Sequence, residues 1–244
     1  MGVGVQKAGT SSVAAFLRES GAHMPLFAQS RSKELHWFKP RRRTSPIRQM
    51  AYRLNFSRHR VSGEYTPNYI EHPLSLGQLA EAAPRAKILV FLRNPFQRTI
   101  SALNHARGLG VINPDTPGDV LIEQAWRADG NSWLARSIRR STYVSDLEVL
   151  FKLFPRDRVF IGFFEHWVSP EHGMTVATEL TQFLVLPSPD ETGASIRKAN
   201  EAEWHLRKNG AKRLEISEAT EHRLRDYFSQ FVPQLEAEVG PIPW

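Results

Sequence analysis

The chain has 244 residues, long enough for one substantial α/β core, and its 41% hydrophobic and 23% charged side chains fit neither a disordered nor a lipid-embedded chain. The absence of cysteine excludes a disulfide scaffold, thiolate-bound zinc and a cysteine nucleophile. The formal charge of +7, from 32 Lys and Arg against 25 Asp and Glu, favours anionic partners without naming one.

Val3 to Gln6 reads as the end of a short strand and Ser11 to Arg18 has helical composition, so Lys7-Ala8-Gly9-Thr10 is a strand-to-helix turn; Gly21 closes the helix. Lys33 to Phe38 is a candidate strand, followed by a basic, Pro-containing loop and a helical segment near Pro46 to Phe56. The Arg41-Arg42-Arg43 run reads more readily as solvated loop than as a nucleic-acid contact. Lys87 to Leu92 is a continuous apolar run that suits a parallel sheet covered on both faces. Asn94 and Pro95 have the character of a cap and a first helical residue. Gly108 to Gly130 is the least patterned stretch and is expected to form a lid or acceptor-binding insertion, with Trp126, Trp133 and Tyr143 as candidates for stacking or for core. Tyr143, Leu147, Leu150 and Phe154 recur at helical spacing, Pro155 stops that helix, and Arg158 to Phe163 is a further strand. Glu171 to Leu186 and Glu218 to Phe231 complete the helices.

Strands alternating with helices predict an α/β fold, a single domain over residues 1–244 with a central, mostly parallel sheet flanked by helices, and ligand beyond the strands' carboxyl ends. There is no opening basic segment followed by an apolar stretch of signal length, and no run long enough to span a bilayer. The sequence therefore predicts a cytoplasmic protein without membrane or nucleic-acid partners.

Three constellations can carry chemistry. Gly4 and Gly9 have the spacing of a nucleotide-triphosphatase phosphate loop, but Thr10 stands where that loop requires lysine, and the lysine sits inside the turn at position 7. Such a turn aims backbone N–H groups at an anion, and Lys7 can offset charge developing on a bridging oxygen; it is equally a tight βα connection with a solvent-facing lysine. Arg93 lies at the carboxyl end of the buried strand, and Arg98 and Ser101 can share a helix face, a fork and a hydroxyl suited to a second phosphate. In Lys33 to Phe38, period-two alternation puts Glu34 and His36 on one side, a carboxylate to take an acceptor proton and an imidazole to orient it, or two ordinary strand residues.

Together these residues resemble the family of sulfotransferases that use 3′-phosphoadenosine-5′-phosphosulfate (PAPS), especially the branch of heparan sulfate sulfotransferases and related bacterial enzymes. The resemblance implies a P-loop-like sulfotransferase fold in which Lys7, Ala8, Gly9, Thr10, Ser11 and Ser12 hold the 5′-phosphosulfate and Arg93 with Ser101 holds the 3′-phosphate. It places the catalytic base on Glu34, a supporting role on His36, and a cofactor-closing loop on Arg207, Lys208 and Gly210. It further implies adenosine 3′,5′-diphosphate as product, no metal, and a small-molecule or glycan acceptor bearing a hydroxyl or an amine. The sequence departs from the branch at Tyr65, where lysine is usual, in the short stretch before the loop, and in lacking the cysteine pair of secreted relatives. A magnesium-dependent P-loop kinase or triphosphatase and a non-catalytic anion- or nucleic-acid-binding protein are the competing readings.

Overall fold

Apolar side chains on every residue of Ile88–Leu92 leave no face for solvent, so this strand (β2) sits between two others, all five of its residues buried. In the computed structural model, which describes residues 1–25, 33–39, 45–58, 60–128, 132–197 and 206–244, β2 pairs in parallel with β1 (Gly2–Gly4) on one side and β3 (Val159–Phe163) on the other. The β2–β3 register runs without interruption from Ile88 opposite Val159 to Leu92 opposite Phe163. Among the described residues the helices are α1 (Thr10–Glu19), α2 (Pro46–Arg53), α3 (Pro73–Ala82), α4 (Pro95–Gly108), α5 (Gly118–Arg127), α6 (Trp133–Arg139), α7 (Val144–Leu153), α8 (Phe164–Trp167), α9 (Gly173–Leu184), α10 (Pro189–Thr192), α11 (Glu218–Ser229) and α12 (Val232–Val239). The protein is thus an α/β fold with a central parallel sheet flanked by helices.

Contacts group the chain into two compact units, one built of residues 1–92 and 146–199 and the other of residues 93–145 and 200–242. In the first, the segment from Glu64 to Ile70 lies along the free side of β1: Gly2 N–H donates to Glu64 O (2.8 Å), Thr66 N–H to Gly2 O (2.9 Å) and Ile70 N–H to Val3 O (3.0 Å). Glycine at position 2 permits this approach, because a Cβ there would lie 2.2 Å from Cγ of Tyr65. The buried Trp167 meets Phe16 and Phe91 edge-on, tying α1 and α8 to the central strand.

The second unit has its own apolar cluster, with Phe96 and Leu103 of α4, Leu121 and Ile122 of α5, and Leu224 and Phe228 of α11. The stretch read as unpatterned therefore contains α5, whose Leu121, Ile122 and Ala125 are buried. The signal is a single turn-and-a-half of apolar residues between charged ones, too short to register as a period. Asn94 caps α4 as expected, accepting from Gln97 N–H at 3.1 Å with Pro95 at the first helical position. Leu147 and Leu150 are buried on α7 and Phe154 directly after it, as their spacing predicts, whereas Tyr143, also buried, precedes the helix in a left-handed conformation (φ 56°).

Lys33 to Phe38 is not a strand. The segment is irregular, and His36 adopts a left-handed backbone (φ 47°) that interrupts extended alternation. Its amides are satisfied by side chains instead of a ladder: Leu35 N–H donates to Glu64 Oε2 (2.9 Å) and Trp37 N–H to the Tyr69 hydroxyl (2.8 Å). The Arg41-Arg42-Arg43 run falls outside the described residues.

Candidate active site

The turn after β1 reverses the chain through two left-handed residues, Lys7 (φ 73°) and Gly9 (φ 77°), the second being the N-cap of α1. Left-handed geometry next to helical geometry gathers successive N–H groups into a concavity that accepts an anion. Gly9 brings no capping side chain to the first turn of α1, and a Cβ on it would lie 2.7 Å from the Phe164 ring. The loop is therefore shaped for backbone approach, and its residues fit a phosphosulfate. Lys7, Gly9 and Ser11 are half-buried, Ala8 and Thr10 are buried, and Ser12 is buried with its hydroxyl accepting the Trp167 indole N–H at 3.0 Å. Ser12 thus also anchors α1 to α8.

Glu34 and His36 meet, although not through strand alternation. The left-handed turn at His36 brings its Nε2 to 2.9 Å from Glu34 Oε2, while Lys33 Nζ sits 2.5 Å from Oε1. The carboxylate is thus flanked by Lys33 on one oxygen and His36 on the other, and keeps 24% of its side chain exposed. Tyr65 fixes the whole segment. Its N–H donates to Lys33 O (2.8 Å) and its hydroxyl to Gly4 O (2.8 Å), so the residues carrying Glu34 are fastened to the strand that feeds the Lys7 turn. The Tyr65 side chain is 1% exposed, and Lys33 Nζ stands 5.8 Å from its ring centroid.

Sequence reasoning did not single out Glu64. Its 2%-exposed carboxylate accepts from the hydroxyls of Tyr52 (2.8 Å) and Tyr69 (3.2 Å) on one oxygen, and from Thr66 Oγ1 (2.5 Å) and Leu35 N–H (2.9 Å) on the other. Burial pushes its pKa above the usual carboxylate range, partly opposed by those four hydrogen bonds. Glu64 holds the backbone of the Glu34 segment from behind. The available signal was the Glu-Tyr-Thr-Pro string itself, which names a neighbour of the site but not the donors that converge on it.

In the second unit Arg93 follows β2 directly, its carbonyl receiving the hydroxyl of buried Tyr143 at 2.7 Å. Ser101 is half-buried on α4. Arg98 does not share its surroundings: it is 1% exposed, its Nε donating to Ser141 Oγ (2.5 Å) and its Nη2 to Ser137 O, so it braces α6 against α4. Arg207 and Lys208 are exposed ahead of a left-handed Gly210 (φ 63°), and Asn209 Nδ2 donates to Gly108 O. Trp126 packs on Tyr227 (5.1 Å between centroids) and Trp133 lies against the same apolar cluster, which makes both rings part of this unit's packing.

The sulfotransferase domain family matches residues 2–231, and the chain belongs to that family. A sulfotransferase from Alicyclobacillus acidocaldarius has the same fold, with a TM-score of 0.67 at 21% identity over 97% of this chain and 93% of that one. The sulfotransferase domain from the curacin biosynthetic pathway aligns at a TM-score of 0.41 and 12% identity, over 75% of this chain and 68% of that one. No curated protein matched the chain. At the level of the family, then, the protein is a PAPS-dependent sulfotransferase, and membership implies PAPS as the sulfuryl donor. Among the described residues no helix is long and apolar enough to cross a membrane.

Proposed function

We propose that this sulfotransferase acts on a hydroxyl of a carbohydrate or other small alcohol, with Glu34 as the base that takes the acceptor's proton. The observation that carries this reading is Tyr65, whose two hydrogen bonds tie the Glu34 segment to the strand leading into the Lys7 turn. PAPS supplies the sulfuryl group and a leaving group, adenosine 3′,5′-diphosphate. Glu34 presents an exposed carboxylate edge, and His36 Nε2–H and Lys33 Nζ hold its orientation, a positioning effect worth a large share of the rate. Lys7 and the amides of Ala8 to Ser11 face negative charge at the 5′ end. Arg93 and Ser101 are assigned the 3′-phosphate, and Arg207, Lys208 and Gly210 the closing loop. The Lys33 to Phe38 resemblance alone supports the heparan sulfate branch, and it is what tilts the acceptor toward a carbohydrate or other alcohol.

The test is Glu34→Gln, assayed with labelled PAPS across a panel of glycans and small alcohols and by calorimetry with adenosine 3′,5′-diphosphate. Turnover should fall about 10²–10⁴-fold while nucleotide affinity stays unchanged. Turnover at the parent level removes Glu34 as the base.

A further inference from the structure

A cleft lies at the opposite end of the sheet from the Lys7 turn. The Lys7 turn follows the carboxyl end of β1, where ligands of open α/β sheets gather. Ala86 and Lys87, which precede the amino end of β2, line a cleft of about 640 Å³ formed within the first unit, a size in the range of small-molecule pockets (roughly 300–1,000 Å³). Its wall is apolar, with Phe56, Leu184 and two side chains one turn apart on and just beyond α2, Met50 and Leu54. Those two are 62% and 68% exposed, an uncommon state for large aliphatic groups side by side.

The charged side chains of the lining have one sign. Arg53, Arg58, Arg60 and Lys87 line the cleft, and among the described residues no Asp or Glu does. Arg53 Nε donates to Ala82 O (2.7 Å) and Lys87 Nζ to Phe183 O, both neutral partners, and among the described residues no ion pair engages either side chain. Arg58 and Arg60 are exposed, and no ion pair engages either among the described residues. The sequence around them is equally one-sided: residues 35–63 hold eight Lys and Arg and no Asp or Glu, against +7 for the entire chain. A lining that combines apolar and cationic side chains matches a molecule with one hydrocarbon chain and one anionic head. Nucleic acid would leave the aliphatic wall uncovered, and the volume is that of a single small molecule.

We infer that this cleft binds a single-chain anionic amphiphile, a carboxylate or sulfate ester, with the head on Arg58 and Arg60 and the chain against Met50, Leu54 and Phe56. Calorimetry on the full chain with monomeric decanoate and decyl sulfate, beside decyl glucoside and decyltrimethylammonium, tests it. The anionic probes should bind, and comparing them tells which head is preferred. Arg58→Gln with Arg60→Gln should weaken binding roughly five- to tenfold, the scale of two exposed charge pairs. Leu54→Glu, at a position too exposed to threaten folding, should abolish it. Adenosine 3′,5′-diphosphate should neither displace the probe nor lose affinity in these variants. Equal binding of the uncharged or cationic probes, indifference to the double variant, displacement by the nucleotide, or binding to anionic vesicles without binding to monomers each overturns the assignment.

Discussion

Glu64→Gln replaces a buried carboxylate that takes four hydrogen bonds with a carboxamide that has one accepting atom. With the amide oxygen toward the tyrosines, the amide nitrogen meets the Leu35 N–H, a donor that cannot rotate away. With the amide reversed, its nitrogen meets the hydroxyls of Tyr52 and Tyr69, and Tyr69 already receives the Trp37 N–H at 2.8 Å. Either orientation leaves a buried donor without an acceptor, at about 1–3 kcal/mol. Removing an ionised carboxylate from a buried position offsets part of that. The expected net loss near neutral pH is about 2 kcal/mol, or roughly 4–8 °C in Tm for a chain of this size. Turnover should drop as well, because the Leu35 amide positions the residue next to Glu34. Burial raises the folded pKa of Glu64 above its ordinary value of 4.5, so the folded protein holds this proton more tightly than the unfolded chain. Its contribution to stability is therefore fully present below that ordinary value and is lost as pH rises through the raised folded value. The Tm gap between parent and variant should be widest in acid and narrow as pH rises. Thermal unfolding by circular dichroism at several pH values decides the matter, and an unchanged Tm, or a gap that widens with pH, refutes the reasoning.

Gly9→Ala forces a side chain into a left-handed turn 2.7 Å from the Phe164 ring, and should cost about 1–3 kcal/mol and weaken adenosine 3′,5′-diphosphate binding in calorimetry. Tyr65→Phe leaves the Gly4 carbonyl unpaired and should lower stability by about 1 kcal/mol, whereas Tyr65→Lys buries an ammonium at a 1%-exposed position and should cost more than about 3 kcal/mol; melting curves separate the two. Arg98→Lys keeps the charge but not the fork that reaches both Ser137 O and Ser141 Oγ, so a loss of about 2 kcal/mol in denaturant titration is expected.

Local chemistry fixed whatever in this protein depends on neighbours in sequence. The apolar run of β2, the Asn94-Pro95 start of α4, the glycine turn before α1 and the spacing from Leu147 to Phe154 all declared themselves, because burial on both strand faces, cap hydrogen bonds and helical period act within a few residues. Glu34 and His36 were recognisable as a pair, but their contact comes from a left-handed residue and side-chain anchors, where the sequence read a strand. Arg98 looked like a partner of Ser101 by helical spacing, yet Ser137 of α6 and Ser141 just beyond it supply its acceptors from some forty positions away. Glu64 collects donors from Leu35, Tyr52, Thr66 and Tyr69, residues on both sides of it in the chain. A polar group's partners are set by which surfaces fold against it, and only the tertiary structure decides whether a charged side chain faces a substrate or holds the backbone that does.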